Sequence, residues 1–113
     1  MKPRDVRKYL FEMKAAGELV GSFTEGKTLE DYLGDPMLRA AVERPFEIIG
    51  EALNQAMQVD PALREQVTDA PRIIAFRNRL IHGYSAVSDE VVWGVVEASL
   101  PRLTTEIADL LED

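Results

Sequence analysis

The sequence PMLRAAVERPFEIIGEALNQAM, residues 36–57, forms a long periodic stretch that identifies the class of fold. Apolar side chains recur in it at steps of three or four residues, which places them on one face of an α-helix. They are Leu38, Val42, Phe46, Ile49, Leu53, Ala56 and Met57. Asp35-Pro36 supplies an N-cap followed by proline at the first helical position, and Pro45 predicts a kink within the helix.

Helical spacing continues on the N-terminal side of this segment. Apolar residues from Val6 to Val20 form one stripe of a helix, and Asp5 is placed to cap it. Residues 21–27 form a polar, glycine-containing break. Thr28 then caps a short helical turn that leads into the central segment.

The C-terminal side is helical as well. A short helix begins at Asp60-Pro61, and residues 71–81 form another that Gly83 is placed to end. Ser88 caps the last long helix, which Pro101 should bend. No stretch alternates with a period of two, so the fold class is all-α, a bundle of about four or five helices kinked at prolines.

Composition limits the classes of protein. The chain has 113 residues, which suits a single domain over residues 1–113. It has no cysteine, which excludes disulfide frameworks and thiolate metal sites. We see no signal peptide and no run of about 18 apolar residues, so we expect a cytoplasmic protein without membrane association. The net charge of −7 repels nucleic acid globally.

Charge is distributed differently in residues 70–88, APRIIAFRNRLIHGYSAVS. This stretch contains Arg72, Arg77, Arg79 and the single histidine of the chain, His82, but no Asp or Glu. A locally cationic strip in an acidic protein is a candidate phosphate site.

Arg77 and His82 are the candidate catalytic pair. An imidazole titrates near neutrality and can take or give a proton, whereas a guanidinium is a planar, permanently charged fork that matches phosphate oxygens. Together they suffice for metal-free RNA cleavage, in which the ribose 2′-OH attacks the adjacent phosphorus. DNA lacks that hydroxyl, so this chemistry selects RNA.

Helix geometry separates the two groups by about 140° around the axis. Either the helix ends near His82, or a two-fold dimer assembles the site from both chains. Arg79 shares a face with His82, and we predict that Arg79 and Arg72 contact RNA phosphates. Asn78 can hold Arg77 or His82 by hydrogen bonds. Tyr84 can donate to a phosphate or accept a covalent group.

Each of these residues also has a possible structural role that does not involve catalysis. His82 could merely cap a helix, the arginines could pair with acidic residues, and the protein could be a non-catalytic binding module or a purely structural bundle. Glu47 and Glu51 lie four apart, but no Glu-x-x-His motif accompanies them. We therefore expect them to pair with arginines such as Arg77 or Arg79 and predict no metal site. Aromatic side chains in the apolar stripes, Phe46 and Trp93, are predicted core residues.

The segment Arg77-Asn78-Arg79-Leu80-Ile81-His82-Gly83-Tyr84 resembles the Arg-x4-His-x-Tyr motif of the HepT-like toxins, a branch of the HEPN superfamily. The resemblance extends to residues 41–52, which are similar to the central helix of that family, and to residues 91–103, which are similar to its C-terminal helix. It therefore covers most of the chain.

This resemblance implies an all-α HEPN bundle that forms a homodimer with the motif at the dimer cleft. It implies a metal-independent endoribonuclease toxin of a type VII toxin–antitoxin module, without a cofactor, that cuts tRNA or mRNA. Its implied partner is an MNT-type minimal nucleotidyltransferase antitoxin that transfers AMP to Tyr84. By position in the motif, Arg77 and His82 are implied to be catalytic, and Asn78 supports them.

Overall fold

The computed structural model describes residues 2–82 and 87–112, and these residues form helices and connecting turns without a strand among them. The helices are α1 (Arg4–Thr24), α2 (Leu29–Gly34), α3 (Pro36–Val59), α4 (Leu63–Gln66), α5 (Ala70–His82), α6 (Asp89–Gly94) and α7 (Leu100–Glu112). A π-helical segment, Val95–Ser99, joins α6 to α7. The predicted all-α bundle is confirmed, but the described residues form seven α-helices rather than about four or five, because α2, α4 and α6 are short, separate helices of four to six residues.

Three of the predicted helix caps are present. The Thr28 hydroxyl accepts the N–H of Asp31, whose carboxylate accepts the N–H of Thr28 in return. The Asp35 carboxylate accepts two N–H groups of the first turn of α3. The Ser88 hydroxyl accepts an N–H of the first turn of α6. Each satisfies donors that the helix itself leaves unpaired.

The beginning and end of α1 differ from the prediction. The N-cap is Pro3, without a side-chain capping bond, so the predicted cap at Asp5 is wrong. Asp5 lies inside the first turn instead, where a carboxylate still favours the positive end of the helix dipole. At the other end α1 continues to Thr24, and the break is shorter than predicted. Gly26 makes the turn with φ +72°, a conformation that suits glycine.

The structure also shows where the short helix α4 begins and how the chain is arranged at Pro45 and Pro101. α4 begins at Leu63 rather than at Asp60, whose carboxylate accepts the N–H of Ala62 in the preceding turn. α3 runs through the buried Pro45 as one helix. Before Pro101, where a bend was expected, residues Val95–Ser99 are π-helical. Proline removes one backbone hydrogen bond to the preceding turn, and a π-helical turn accommodates that loss.

The core lies around α3, which packs between α1 and α5. The Phe46 ring meets Phe76 of α5 edge-on, with ring centroids 5.5 Å apart. The ring centroids of Trp93 of α6 and Tyr32 of α2 are 5.3 Å apart. Both Phe46 and Trp93 are buried, as predicted, and burial of such side chains contributes about 2 kcal/mol each.

Within the described ranges, no helix has the length and apolar character needed to cross a bilayer.

Candidate functional site

The candidate residues lie on α5, which is anchored on α3 by the contact between Phe76 and Phe46. The helix covers Ala70–His82, one residue longer at each end than the sequence predicted. Gly83, which we expected to end it, and Tyr84, the last residue of the motif, lie outside the described residues.

The aliphatic part of the Arg77 side chain packs against α3 at Gly50. A Cβ built on Gly50 would lie 2.5 Å from Cγ of Arg77 and still closer to its Cβ. Glycine in a helix interior costs about 1 kcal/mol relative to alanine, and here it gives the Arg77 stem room to lie on the helix. The sequence analysis overlooked Gly50, although an isolated glycine inside an apolar helical pattern signals a close approach.

The Arg77 guanidinium is held by two neighbours. Nη2 donates to a carboxylate oxygen of Glu51 in an ion pair, and Nη1 donates to Oδ1 of Asn78 at 2.9 Å. The other Glu51 oxygen accepts from Nε2 of Gln55 at 3.0 Å. Nε of Arg77 is buried and makes no hydrogen bond within the described part of the chain. The expected pairing of Glu51 with an arginine is confirmed, and Asn78 does contact Arg77.

Glu47, one turn before Glu51, also pairs with an arginine. Its partner is Arg44 of the same helix, with 3.3 Å between Nη1 and the carboxylate, rather than Arg77 or Arg79. Across residues 2–82 and 87–112, no three or more His, Asp or Glu side chains are grouped to hold a metal ion.

The guanidinium faces a groove of about 400 Å³ between α1, α3 and α5, which we call the Arg77 groove. Its lining comprises Tyr9, Glu12, Arg44, Glu47, Ile48, Glu51, Ala52, Gln55, Arg77 and Ile81. The Arg77 side chain is 22% exposed and Glu51 is 44% exposed. A pair this accessible adds at most about 1 kcal/mol to stability, so its main effect is on the orientation of the guanidinium.

Arg72 and Arg79 lie on a different side of α5. They are seven residues apart and therefore only about 20° apart around the axis. Together with Phe76, Val91 and other apolar residues they line a second groove of about 250 Å³, which we call the Arg79 groove. Within the part of the chain that the structure describes, the residues that line this groove are arginine or apolar. The structure thus separates the two predicted phosphate contacts from Arg77.

His82 is the last residue of α5 and is exposed. Because α5 is helical through this position, Arg77 and His82 do not share a face of their own chain, and the helix does not end early enough to bring them together. His82 is instead about 60° from Arg79 around the axis. The structure therefore joins Arg77 to Asn78 and Glu51, and leaves His82 on the side of the Arg79 groove.

Comparison with known proteins gives a consistent result. The model of the family described as ribonuclease HepT-like matches residues 13–110. A protein of Thermococcus cleftensis named as a probable ribonuclease HepT is 33% identical over 100 residues, 88% of this chain and 90% of that protein. A candidate RNase of Caldanaerobacter subterraneus subsp. tengcongensis is 30% identical over 108 residues, 94% of each chain.

A candidate RNase of Methanocaldococcus jannaschii is 29% identical over 109 residues, which cover 95% of this chain and 97% of that protein. No solved structure matches the chain. The matched region includes all of α3 and α5, and therefore Gly50, Glu51, Arg77 and His82. The chain belongs to the ribonuclease HepT-like family, within the HEPN superfamily, as its Arg-x4-His-x-Tyr motif indicated.

Proposed function

We propose that this protein is a metal-independent endoribonuclease, that it acts as a homodimer, and that it is the toxin of a HEPN/MNT toxin–antitoxin module. Family membership and the names of the relatives support the nuclease activity. The observation that carries the proposal is the Arg77 guanidinium, which is held by Glu51 and Asn78 and faces an open groove. A guanidinium fixed in this way is preorganised for phosphate.

The reaction needs only the ribose hydroxyl and two side chains. An imidazole of His82 removes the proton of the 2′-OH while O2′ bonds to phosphorus. The bond from phosphorus to O5′ breaks, and O5′ takes a proton from an imidazolium. Arg77 stabilises the charge that builds up on the non-bridging oxygens. The products are a 2′,3′-cyclic phosphate and a free 5′-OH, and water is not consumed in this step.

Arg77 and His82 of one chain project about 140° apart around the axis of α5, so they cannot meet at one phosphate within a protomer, and we therefore propose a dimer. A two-fold axis beside α5 brings two copies of each group to one cleft, where one His82 can act as base and its counterpart as acid. Ile81 lines the Arg77 groove and is 46% exposed. A second copy of the chain would cover this apolar side chain and so gain from its burial.

RNA binding must overcome the net charge of −7. The side of α5 that carries Arg72, Arg79 and His82 supplies the local positive field, because among the described residues arginines and apolar side chains line the Arg79 groove, although Arg72 also pairs with Asp69 at 4.0 Å. We propose that the backbone of the RNA, a tRNA or an mRNA, follows this side towards the end of α5.

The proposed control point is Tyr84. An MNT-type nucleotidyltransferase antitoxin would join the tyrosine oxygen to the α-phosphorus of ATP, and pyrophosphate would leave. The attached AMP adds negative charge and bulk two residues from His82, which opposes phosphate binding.

A cleavage assay with mixed variants tests the proposal. Arg77→Ala and His82→Ala are each expected to abolish cleavage of RNA in EDTA while the circular dichroism spectrum stays helical. If groups from both protomers act in one cleft, refolding an equimolar mixture of the two variants recovers part of the activity. Mixed dimers retain one Arg77 and one His82, and the imidazole that takes the 2′-OH proton can, as imidazolium, return a proton to O5′. Full activity of either variant alone would overturn the nuclease site, and absence of recovery would overturn the shared cleft.

A non-catalytic binding module is the second candidate. Three glutamates, Glu12, Glu47 and Glu51, line the Arg77 groove, and their charge opposes RNA at this position. Wild-type protein that binds its nucleotidyltransferase partner but leaves RNA intact in large molar excess would establish this candidate instead.

A further inference from the structure

We infer that Glu51 is a positioning residue of the proposed nuclease, whose carboxylate fixes the direction in which the Arg77 guanidinium meets the scissile phosphate. The inference rests on the proposed function, since it assigns Glu51 a role through Arg77. Glu51 lies outside the Arg-x4-His-x-Tyr motif and on a different helix, 26 residues earlier in the chain.

The hydrogen bonds of Arg77 show what remains for a ligand. A guanidinium has five N–H donors. The Nε–H is buried, one N–H of Nη2 is directed to Glu51, and one N–H of Nη1 is directed to Asn78. No other partner of these nitrogens lies among residues 2–82 and 87–112, so one donor on each terminal nitrogen is open to a ligand, and these two can bind two phosphate oxygens together.

Glu51 is itself held in place, which makes it an effective anchor. Its second oxygen accepts a hydrogen bond from Gln55, one turn later on α3. The neighbouring Gly50 has no side chain and so leaves room for the Arg77 stem. Gly50 and Glu51 of α3 thus determine the position of the aliphatic stem of Arg77 and the orientation of its guanidinium, respectively. Without Glu51, the bond to Asn78 is the one that the terminal nitrogens keep with the described residues.

The carboxylate also has an electrostatic cost for the substrate. Its negative charge lies beside the phosphate and weakens RNA binding. Loss of the charge at position 51 should therefore have two opposite effects, tighter binding of RNA and slower turnover. A residue that only stabilised the fold would not separate KM from kcat in this way.

The experiment compares Glu51→Gln with Glu47→Gln in steady-state cleavage of a defined RNA. Both variants remove one carboxylate from the same face of α3 and the same groove, but Glu47 pairs with Arg44 instead of Arg77. We expect kcat to fall on the order of tenfold in Glu51→Gln and a hundredfold in Glu51→Ala, with KM unchanged or lower. Glu47→Gln should lower KM through charge alone and keep kcat within about twofold.

A double variant completes the test. In an Arg77→Lys background, which keeps measurable cleavage but lacks the planar guanidinium, Glu51→Gln should cause little further loss of kcat, because the fork that Glu51 positions is gone. Equal kcat values in Glu51→Gln and Glu47→Gln, or additive losses in the double variant, overturn the inference. These outcomes are distinct from failure of the proposed function, which would show as full cleavage by Arg77→Ala itself. Thermal unfolding confirms that each variant is folded.

Discussion

Gly50 of α3 and Arg77 of α5 lie so close together that position 50 has no room for a methyl group unless the arginine stem moves. This contact links helix packing to the candidate site, since the distance between α3 and α5 also determines where the guanidinium lies. A substitution at Gly50 therefore tests both properties of the protein.

We expect Gly50→Ala to reduce stability and cleavage together. The added methyl group must displace Cβ and Cγ of Arg77, and such overpacking typically costs about 1–3 kcal/mol. Urea unfolding measures the loss. Gly94→Ala is the matched control, because Gly94 is helical, with φ −60° and ψ −38°, and a Cβ there meets nothing within 4 Å. It should gain about 0.5–1 kcal/mol, so a Gly50→Ala variant as stable as this control would contradict the contact.

Replacing Arg77 by lysine should lower cleavage at least about a hundredfold without unfolding the protein. Lysine keeps the charge but lacks the planar fork that contacts two phosphate oxygens. The rate constant for cleavage of a defined RNA measures the loss, and Arg64→Lys, on the short helix α4, controls for the general effect of the exchange. Similar rates for the two variants would show that Arg77 acts as a charge alone.

The products and the metal dependence should reveal the reaction directly. Cleavage should persist in EDTA and leave a 2′,3′-cyclic phosphate, because the 2′-oxygen is the nucleophile and the charge is stabilised by Arg77. Mass spectrometry of the fragments identifies the terminus. A substrate with 2′-deoxyribose at the cut position serves as the control and should resist. Activity that disappears on chelation, or cleavage of the deoxy substrate, would contradict the mechanism.

Tyr84→Phe should keep cleavage and lose control by the antitoxin. The phenyl ring lacks the oxygen that AMP would be joined to, whereas Arg77 and His82 are unchanged. The measurement is co-expression of each form with an MNT-type nucleotidyltransferase, followed by intact mass analysis and a growth assay. If the wild-type chain acquires no AMP while the antitoxin still silences it, inhibition works by binding instead.

Glu43 should make stability depend on pH. Burial raises the pKa of its carboxyl group, the nearby Asp89 and Glu47 carboxylates raise it further, and Arg39 opposes them. A folded-state pKa above the unfolded value means that the stabilising contribution is present below the unfolded pKa and is lost as pH rises through the folded pKa. Glu43→Gln should therefore raise the melting temperature at neutral pH.

The same comparison has an internal control. At about pH 4, near the ordinary pKa of glutamate, the wild-type carboxyl group is largely protonated and the two proteins should melt alike. Glu18→Gln, at an exposed position on α1, should change the melting temperature little at either pH. A benefit of Glu43→Gln that grows as the pH falls would reverse the assigned sign.

Local features of the fold were predictable because they depend on neighbours in the chain. The apolar stripe of α3 and the caps at Thr28, Asp35 and Ser88 need only residues within one or two turns. The cap at Asp5 was wrong for a related reason. Several residues near that terminus were suited to begin a helix, and local pattern alone did not favour Pro3 over Asp5.

The helical character of the chain, its HepT-like motif and the segment that carries Arg77 and His82 could all be inferred from the sequence, since apolar periodicity and motif spacing depend on the order of residues alone. Three relationships required the folded chain: Gly50 leaves room for the Arg77 stem, Glu51 holds its guanidinium, and Arg72 and Arg79 line another groove. These relationships depend on how α5 is turned about its axis against α3, and that rotation is set by the packing of side chains distant in sequence.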